Sequence, residues 1–397
     1  MPTVAVHNKK IIRTGMKPGN AMQDILSRQY YSHIIARIKK GGNVYSKNGI
    51  TFYLTDSFGF CYGVDRAVDL AYATREKYPN TRLFLTTEII HNPRVNKNLL
   101  EMGYQFLTGP YKGHVTVDEL TAEDVVVIPA FGTDLQTLKR VLDKGCQIVD
   151  TTCGSVLNIW RRVESYIKDH FTVVIHGKHY HEETQATSSR VLKNPHGKYI
   201  VVLNMKEADH VAHYICQGGD KETFLKKFEK ATSPGFDPDH DLEKIGLANQ
   251  TTMLGSESLS IADHLKKAML KRYGNKTLSE HFLNFDTICS ATDDRQNAVM
   301  ALEGKKLNLM IVVGGYNSSN TNQLCYISSQ FASTYHIENF EDILSSEAIR
   351  HKPHGQWETV VTNDWLPKGP VNIGVTAGAS TPDKVVGDVV EKILSFR

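Results

Sequence analysis

Asp124-Val-Val-Val-Ile-Pro-Ala130 is a continuous apolar run, and a helix-like segment closing at Gly145 separates it from Gln147-Ile-Val-Asp150-Thr-Thr-Cys153-Gly-Ser. An unbroken β-branched run suits a strand buried on both faces, as in a parallel sheet covered by helices. A helix between two such strands makes a βαβ unit. The second strand also delivers a cysteine just before the next helix.

The same unit recurs outward from this point. Thr51-Phe-Tyr-Leu-Thr runs into Phe58-Gly-Phe-Cys61 and a helical pattern, and a strand at Arg82-Leu-Phe-Leu-Thr precedes Ile90-His91-Asn92-Pro93. Further strands are expected at Phe171–His176, Tyr199–Leu203, Leu307–Gly314 and Asn372–Thr376. The expected class is α/β: three α/β units with mostly parallel sheets in a pseudo-threefold arrangement. Their expected bounds are 51–150, 151–285 (with a surface insertion near 217–243) and 286–397, behind a basic extension 1–50. Apolar residues at three- and four-residue steps from Gln23 to Lys40 predict one helix ended by Gly41-Gly42. The last helix should start with Thr381 as cap and Pro382 in its first turn.

With 397 residues and 41% hydrophobic content, the chain can bury a large core. It has no apolar run of the roughly 18–20 residues that a membrane span needs and no secretion-signal pattern. Six scattered cysteines argue against a disulfide framework and for a reducing compartment. The net charge of +3 hides an asymmetry, since residues 1–50 carry nine Lys or Arg against Asp24 alone. Such an arm reads as a solvated extension, as a contact for nucleic acid or a partner protein, as an organelle address, or as a dock for an acidic redox protein.

Cys61, Cys153 and Cys289 share a setting that Cys146, Cys216 and Cys325 lack: a strand leads in and a helix leads out. Asp150-Thr-Thr-Cys153 and Asp286-Thr-Ile-Cys289 even share a string. A helix start lowers a thiol pKa and favours thiolate. Three thiolates suit zinc or an iron-sulfur cluster, and small buried hydrophobes are the bland alternative. In a 4Fe-4S cluster three cysteines leave one iron without a thiolate, free to act as a Lewis acid.

The strand-end loops hold the other candidates, because ligands of open α/β sheets bind beyond the carboxyl ends of strands. His91 and the group His176, His179 and His181 could hold phosphate oxygens together with the amides of Gly177 and Gly315. Ser318, Ser319, Asn320 and Ser380 add donors, although residues of this kind are mostly turn formers. Glu183 and Thr251 are the proton-handling candidates, and the residues alone leave Glu182 and Glu183 undecided. There is no Gly-x-Gly-x-x-Gly nucleotide fingerprint.

An ordered set of motifs resembles the 4-hydroxy-3-methylbut-2-enyl diphosphate reductase family. They are Phe58-Gly-Phe-Cys61-Tyr-Gly-Val-Asp-Arg-Ala, Glu88-Ile-Ile-His91-Asn92, Asp150-Thr-Thr-Cys153, His181-Glu-Glu183-Thr, Asn249-Gln-Thr251-Thr, Thr287-Ile-Cys289-Ser-Ala-Thr292-x-x-Arg-Gln, Gly315-Tyr-Asn-Ser318-Ser319-Asn320 and Thr376-Ala-Gly-Ala-Ser380. The arm, the 217–243 insertion and Pro129-Ala-Phe131-Gly resemble the longer cyanobacterial and plant-plastid branch.

The resemblance implies a 4Fe-4S cluster on Cys61, Cys153 and Cys289 with one iron not ligated by cysteine. It implies an allylic diphosphate substrate held by His91, Ser318, Asn320 and Ser380, with Ser319 alongside, and His181 contacting it. Glu183 matches a proton-relay glutamate, and Thr251 a threonine that bonds the substrate hydroxyl. Phe131 stands where shorter bacterial members carry a diphosphate-binding histidine. The implied reaction is reductive dehydroxylation to isopentenyl and dimethylallyl diphosphates, with ferredoxin or flavodoxin as donor, in a bacterial cytoplasm or a plastid stroma. Neither nucleic acid nor membrane enters, and the oligomeric state stays open. The rivals are a three-cysteine cluster dehydratase resembling quinolinate synthase and a non-enzymatic cluster-bearing redox sensor.

Overall fold

The computed structural model describes residues 11–285 and 287–397, so Lys9 and Lys10 of the basic arm and Asp286 of the third cysteine motif lie outside the described residues. The chain divides into two compact units. One runs through Arg13, Thr81–Thr87 and Gln105–Cys289; the other through Thr14–Asn80, Glu88–Tyr104 and Ser290–Arg397.

The first unit carries two four-stranded sheets. One has the order Tyr104–Phe106, Leu83–Leu85, Val125–Ile128, Gln147–Asp150, and the other Phe282–Asn284, Ile245–Asn249, Thr172–His176, Tyr199–Val202. Pairing within the second sheet is parallel, with Val173 opposite Gly246 and Val174 opposite Leu247. All residues of Val125–Ile128, Thr172–His176 and Ile245–Asn249 are buried, as their unbroken apolar pattern requires. Gly246 is fixed by packing, because a Cβ there would lie 2.7 Å from the ring of Tyr166, whose hydroxyl donates to the Leu247 carbonyl at 2.8 Å.

In the second unit the sheet order is Val44–Lys47, Ile50–Leu54, Val371–Ala377, Leu309–Val313, Ser333–Ile337. Only the Val44–Lys47 pairing is antiparallel. A separate antiparallel hairpin joins Ala348–His351 to Val360–Asn363. The α/β class with mostly parallel sheets stands, but the sheets do not follow the expected segments in one respect. Ile50–Leu54, which leads to Cys61, pairs with Val371–Ala377 near the other end of the chain instead of joining the strands of 83–150. Pairing between strands so distant in sequence is invisible to local pattern.

Three local expectations are corrected. The helix expected over 23–40 is two, Asn20–Tyr30 and His33–Lys40, because Tyr31 is extended and Ser32 caps the second through the Ile35 amide. The 217–243 stretch is no surface insertion: Phe224, Phe228, Phe236 and Leu242 are buried in the core around Val174, Ile200 and Leu247. The last helix, Asp383–Leu394, begins one residue late, with Pro382 at its cap. Thr381 instead donates its hydroxyl to the Val313 carbonyl at 3.1 Å.

Gly246→Ala should cost about 1–3 kcal/mol, since the methyl must displace a buried ring. A thermal melt of the metal-free protein checks this, and an unchanged midpoint would show that the Tyr166 ring yields freely.

Candidate functional site

The strand Gln147–Asp150 ends in a loop zipped to its neighbour. Thr151 N and its hydroxyl donate to the Ile128 carbonyl at 3.1 and 2.6 Å, and Cys153 N donates to the Ala130 carbonyl at 2.8 Å. Cys153 is then the N-cap of the helix Gly154–Lys168. The Ser155 hydroxyl lies 3.5 Å from Cys289 Sγ, and Ser155 also hydrogen-bonds Cys153 through its amide and its side chain. Both thiols are free and half-buried. Burial pushes the Cys153 thiol up, and the charges of Cys289 and Glu183 push it the same way, against the lowering by Ser155. The thiolate expected from the helix start is therefore not favoured without a cation; desolvation outweighs the helix end.

Glu183 belongs to this neighbourhood. It sits in the first turn of Glu182–Val191, 2% exposed, and both carboxylate oxygens are held: Oε1 by the Thr251 amide at 2.6 Å, Oε2 by the Thr251 hydroxyl at 2.7 Å. Glu182 is half-buried, with its Oε2 4.0 Å from His181 Nδ1. His181 caps the helix, its Nδ1 accepting from the Glu183 amide at 3.1 Å. An accepting Nδ1 carries no proton, so the neutral ring has it on Nε2. Phe131 is buried and meets the His181 ring edge-on at 6.2 Å, giving that imidazole an apolar wall.

The histidine group divides. His176 is buried with Nδ1 at 2.7 Å from the Ser258 hydroxyl, facing a cavity of about 70 Å³ lined by Asn249, Ile261 and Phe285. His179 is exposed and touches Tyr180. Sequence reasoning gave no role to Gln250, whose side-chain oxygen accepts from the Lys178 amide and the Thr184 hydroxyl at 3.0 and 3.2 Å. It ties the His181 loop to the Thr251 loop.

The second unit gathers the remaining candidates. Cys61 caps the helix Tyr62–Lys77, and its amide donates to the Ala379 carbonyl at 3.2 Å. The buried Arg295 donates to the carbonyl of Gly59, which lies at a φ of +83°, and so fixes the turn before the thiol. His91 Nδ1 is 3.1 Å from Glu88 Oε2. Glu88, 3% exposed, also accepts from Asn317 and Asn96 at 2.9 and 3.1 Å. Ser380 donates to the His91 carbonyl at 3.2 Å, and a Cβ on Gly315 would come within 2.6 Å of the same oxygen. Glycine is required there by the close approach of the two loops.

Ser318 caps the helix Ser319–Ser328, accepting from the Thr321 amide at 3.3 Å. Asn320 uses its oxygen on the Ala379 amide at 2.9 Å. The Asn320 Nδ2 and Ser319 Oγ atoms are buried and have no hydrogen-bond partner among the described residues. Buried donors without acceptors cost free energy, and at a helix N-terminus they suit an anion. Glu88, Asn317, Arg295 and Ser155 hold candidate residues in place, and sequence reasoning gave them no role although all four stand inside stretches quoted for other residues.

A family model described as LytB protein matches residues 52–394. A Nostoc protein named 4-hydroxy-3-methylbut-2-enyl diphosphate reductase is 46% identical over 393 residues, 98% of this chain and 96% of that one. A Cyanothece protein of the same name is 45% identical over 387 residues, covering 97% and 94%. A solved structure of (E)-4-hydroxy-3-methyl-but-2-enyl diphosphate reductase, described as the terminal enzyme of the non-mevalonate pathway, aligns with a TM-score of 0.51 at 25% identity, covering 86% of this chain and 98% of that one. The Plasmodium falciparum structure of the E-1-hydroxy-2-methyl-but-2-enyl-4-diphosphate reductase shares the fold with a TM-score of 0.62 at 21% identity, covering 86% of each.

His336 underlies the Gly314–Asn320 loop, its Nε2 donating to the Gly314 carbonyl at 2.9 Å. Burial pushes its pKa from 6.5 down to about 4. The folded state therefore prefers the neutral ring, and its stability is full above the unfolded value of about 6.5 and falls as pH drops towards 4. Between pH 7.5 and 5 this group alone should cost roughly 2 kcal/mol. In urea unfolding, His336→Gln should reduce the loss of midpoint over that range; an identical loss would place the acid sensitivity elsewhere.

Proposed function

The chain belongs to the LytB family of 4-hydroxy-3-methylbut-2-enyl diphosphate reductases, and from that premise we propose how its residues divide the work. The reaction removes the allylic hydroxyl of 4-hydroxy-3-methylbut-2-enyl diphosphate, consuming two electrons and two protons and releasing water, to give isopentenyl and dimethylallyl diphosphates. It is the last step of the non-mevalonate route. The membership sets aside the dehydratase and sensor readings.

Cys61, Cys153 and Cys289 would hold a 4Fe-4S cluster. The donor set fits: the three cysteines form no disulfide, each stands at the start of a helix, and the raised pKa of Cys153 is what a cation would reverse. When bound, such a cluster supplies the two electrons singly and offers one iron without a cysteine as a Lewis acid. Ser318, Ser319, Asn320, Ser380 and His91 bind the diphosphate, with the partnerless Asn320 and Ser319 donors aimed at its oxygens. Glu88 holds the His91 ring by its Nδ1 and so fixes its orientation.

Glu183 holds the proton to be delivered, and the observation that carries this reading is its burial beside Cys153 with both oxygens on Thr251. Thr251 orients the carboxyl group and offers its hydroxyl oxygen to the substrate alcohol. His181 contributes an Nε2 proton donor, and Phe131 keeps water from its face. The electron donor is a small acidic redox protein, ferredoxin or flavodoxin. Among the described residues no helix is long and apolar enough to cross a membrane.

Anaerobic purification with iron and sulfide analysis, followed by dithionite-reduced viologen and the diphosphate, tests the assignment. Iron and sulfide in equal amounts and release of both isoprenoid diphosphates are expected; zinc, or a cluster that releases no product, would end it. Glu183→Gln should lower turnover by roughly 10²-fold or more with unchanged iron content. Near-wild-type turnover in that variant removes Glu183 as proton source.

A further inference from the structure

The strand Gln147–Asp150 stands at the edge of its four-stranded sheet, and residues 11–13 run beside that edge. Ile12 forms a parallel bridge with Val149: its amide donates to the Ile148 carbonyl at 3.0 Å, and its carbonyl accepts from the Asp150 amide at 2.8 Å. Ile11 packs on the cluster that contains Phe84, Val126 and Ile148. This places Arg13 beside Asp150, with Nε at 2.8 Å from Oδ2.

Asp150 is 6% exposed, and its other oxygen accepts from the Thr152 amide at 3.0 Å and from the Thr152 hydroxyl. One carboxylate therefore connects the arm to the residue that precedes Cys153. Arg190 lines the same cavity as Arg13 and Asp150, its guanidinium 4.0 Å over the Trp160 ring, and of the acids around it Asp150 acts on it most strongly. A buried carboxylate is tolerated when cations and donors surround it. Residue 13 lies well outside the 52–394 stretch that the family model matches.

We propose that residues 11–13 form a strap and that Arg13 is a positioning residue for the Cys153 loop, acting through Asp150 and Thr152. Ile12 closes the sheet edge, and Arg13 holds the Asp150 carboxylate in the orientation that pins Thr152. The thiol of Cys153 is thereby presented in one place before any cluster is bound. Arg13 itself touches no thiol; its effect is on how often the 150–153 loop opens. The proposal rests on the reading of Cys153 as a cluster ligand.

Full-length Arg13→Ala, Arg13→Lys and Ile12→Pro variants test it. In the metal-free protein, amide hydrogen exchange at residues 148–153 should rise tenfold or more in Arg13→Ala and in Ile12→Pro, which removes the amide donated to Ile148. Arg13→Lys should lie between Arg13→Ala and wild type, and Leu309–Val313 should not change in any variant, which also shows that the variants fold. In the loaded protein, Arg13→Ala should shift the reduction potential of the cluster and hasten its loss in air. Unchanged exchange at 148–153 in both Arg13→Ala and Ile12→Pro overturns the strap. Iron that fails to bind wild-type protein, with exchange changed as expected, would instead overturn the ligand reading and leave the strap.

Discussion

A parallel strand and the helix that follows it meet at the carboxyl edge of the sheet, so whatever the connecting loop carries is presented there. Three connections in this chain carry a cysteine. Cys61 follows Ile50–Leu54, Cys153 follows Gln147–Asp150, and Cys289 follows Phe282–Asn284, each from a different sheet. The loops are not free to wander. Cys153 is tied by its amide to Ala130, Cys61 by its amide to Ala379, and the turn before Cys61 by Arg295. Every one of these ties uses a backbone group that the end of a strand would otherwise leave unpaired.

Two effects compete at these thiols. A helix N-terminus favours the thiolate by a few tenths to about 1 kcal/mol at exposed sites, while burial favours the thiol by more when the surroundings are dry. At Cys153 burial wins, and the neighbouring Cys289 and Glu183 add to it. Such a thiol gives up its proton more readily when a cation takes its place. Glu183 shares the burial of Cys153, and both its oxygens accept from Thr251.

What was legible in the sequence is what local pattern determines. Buried strands announced themselves in Val125–Ile128 and Thr172–His176, and cysteines placed between strand and helix were readable as helix starts. What was not legible depends on distant partners. The pairing of Ile50–Leu54 with Val371–Ala377 links residues more than three hundred positions apart. The charged composition of 217–243 hid Phe224, Phe228 and Phe236, which are buried because that stretch packs back on its own unit's core. His176 and His181 looked alike as strand-end histidines; the last residue of a buried strand and a helix cap face different surroundings. The Thr251 loop that holds Glu183 lies 68 residues on, out of reach of local pattern.

The Gly314–Asn320 loop shows how a binding surface is prepared from below. The Tyr316 amide donates to Glu338 at 2.9 Å, its hydroxyl to Asp342 at 2.9 Å, and its carbonyl accepts from Lys352 at 2.7 Å. Asp342 is in turn held by Arg350 at 2.8 Å, and Arg350 and Lys352 stand on and just after the strand Ala348–His351. These contacts leave Tyr316 little freedom. Ser318 Oγ accepts from Thr321 and the Asn320 oxygen accepts from the Ala379 amide, while among the described residues the Asn320 amide nitrogen and the Ser319 hydroxyl are buried without a partner. A loop that moved could satisfy these two internally. Holding it rigid keeps them available, and the free energy stored in two buried, unpaired donors is recovered when an anion accepts from them.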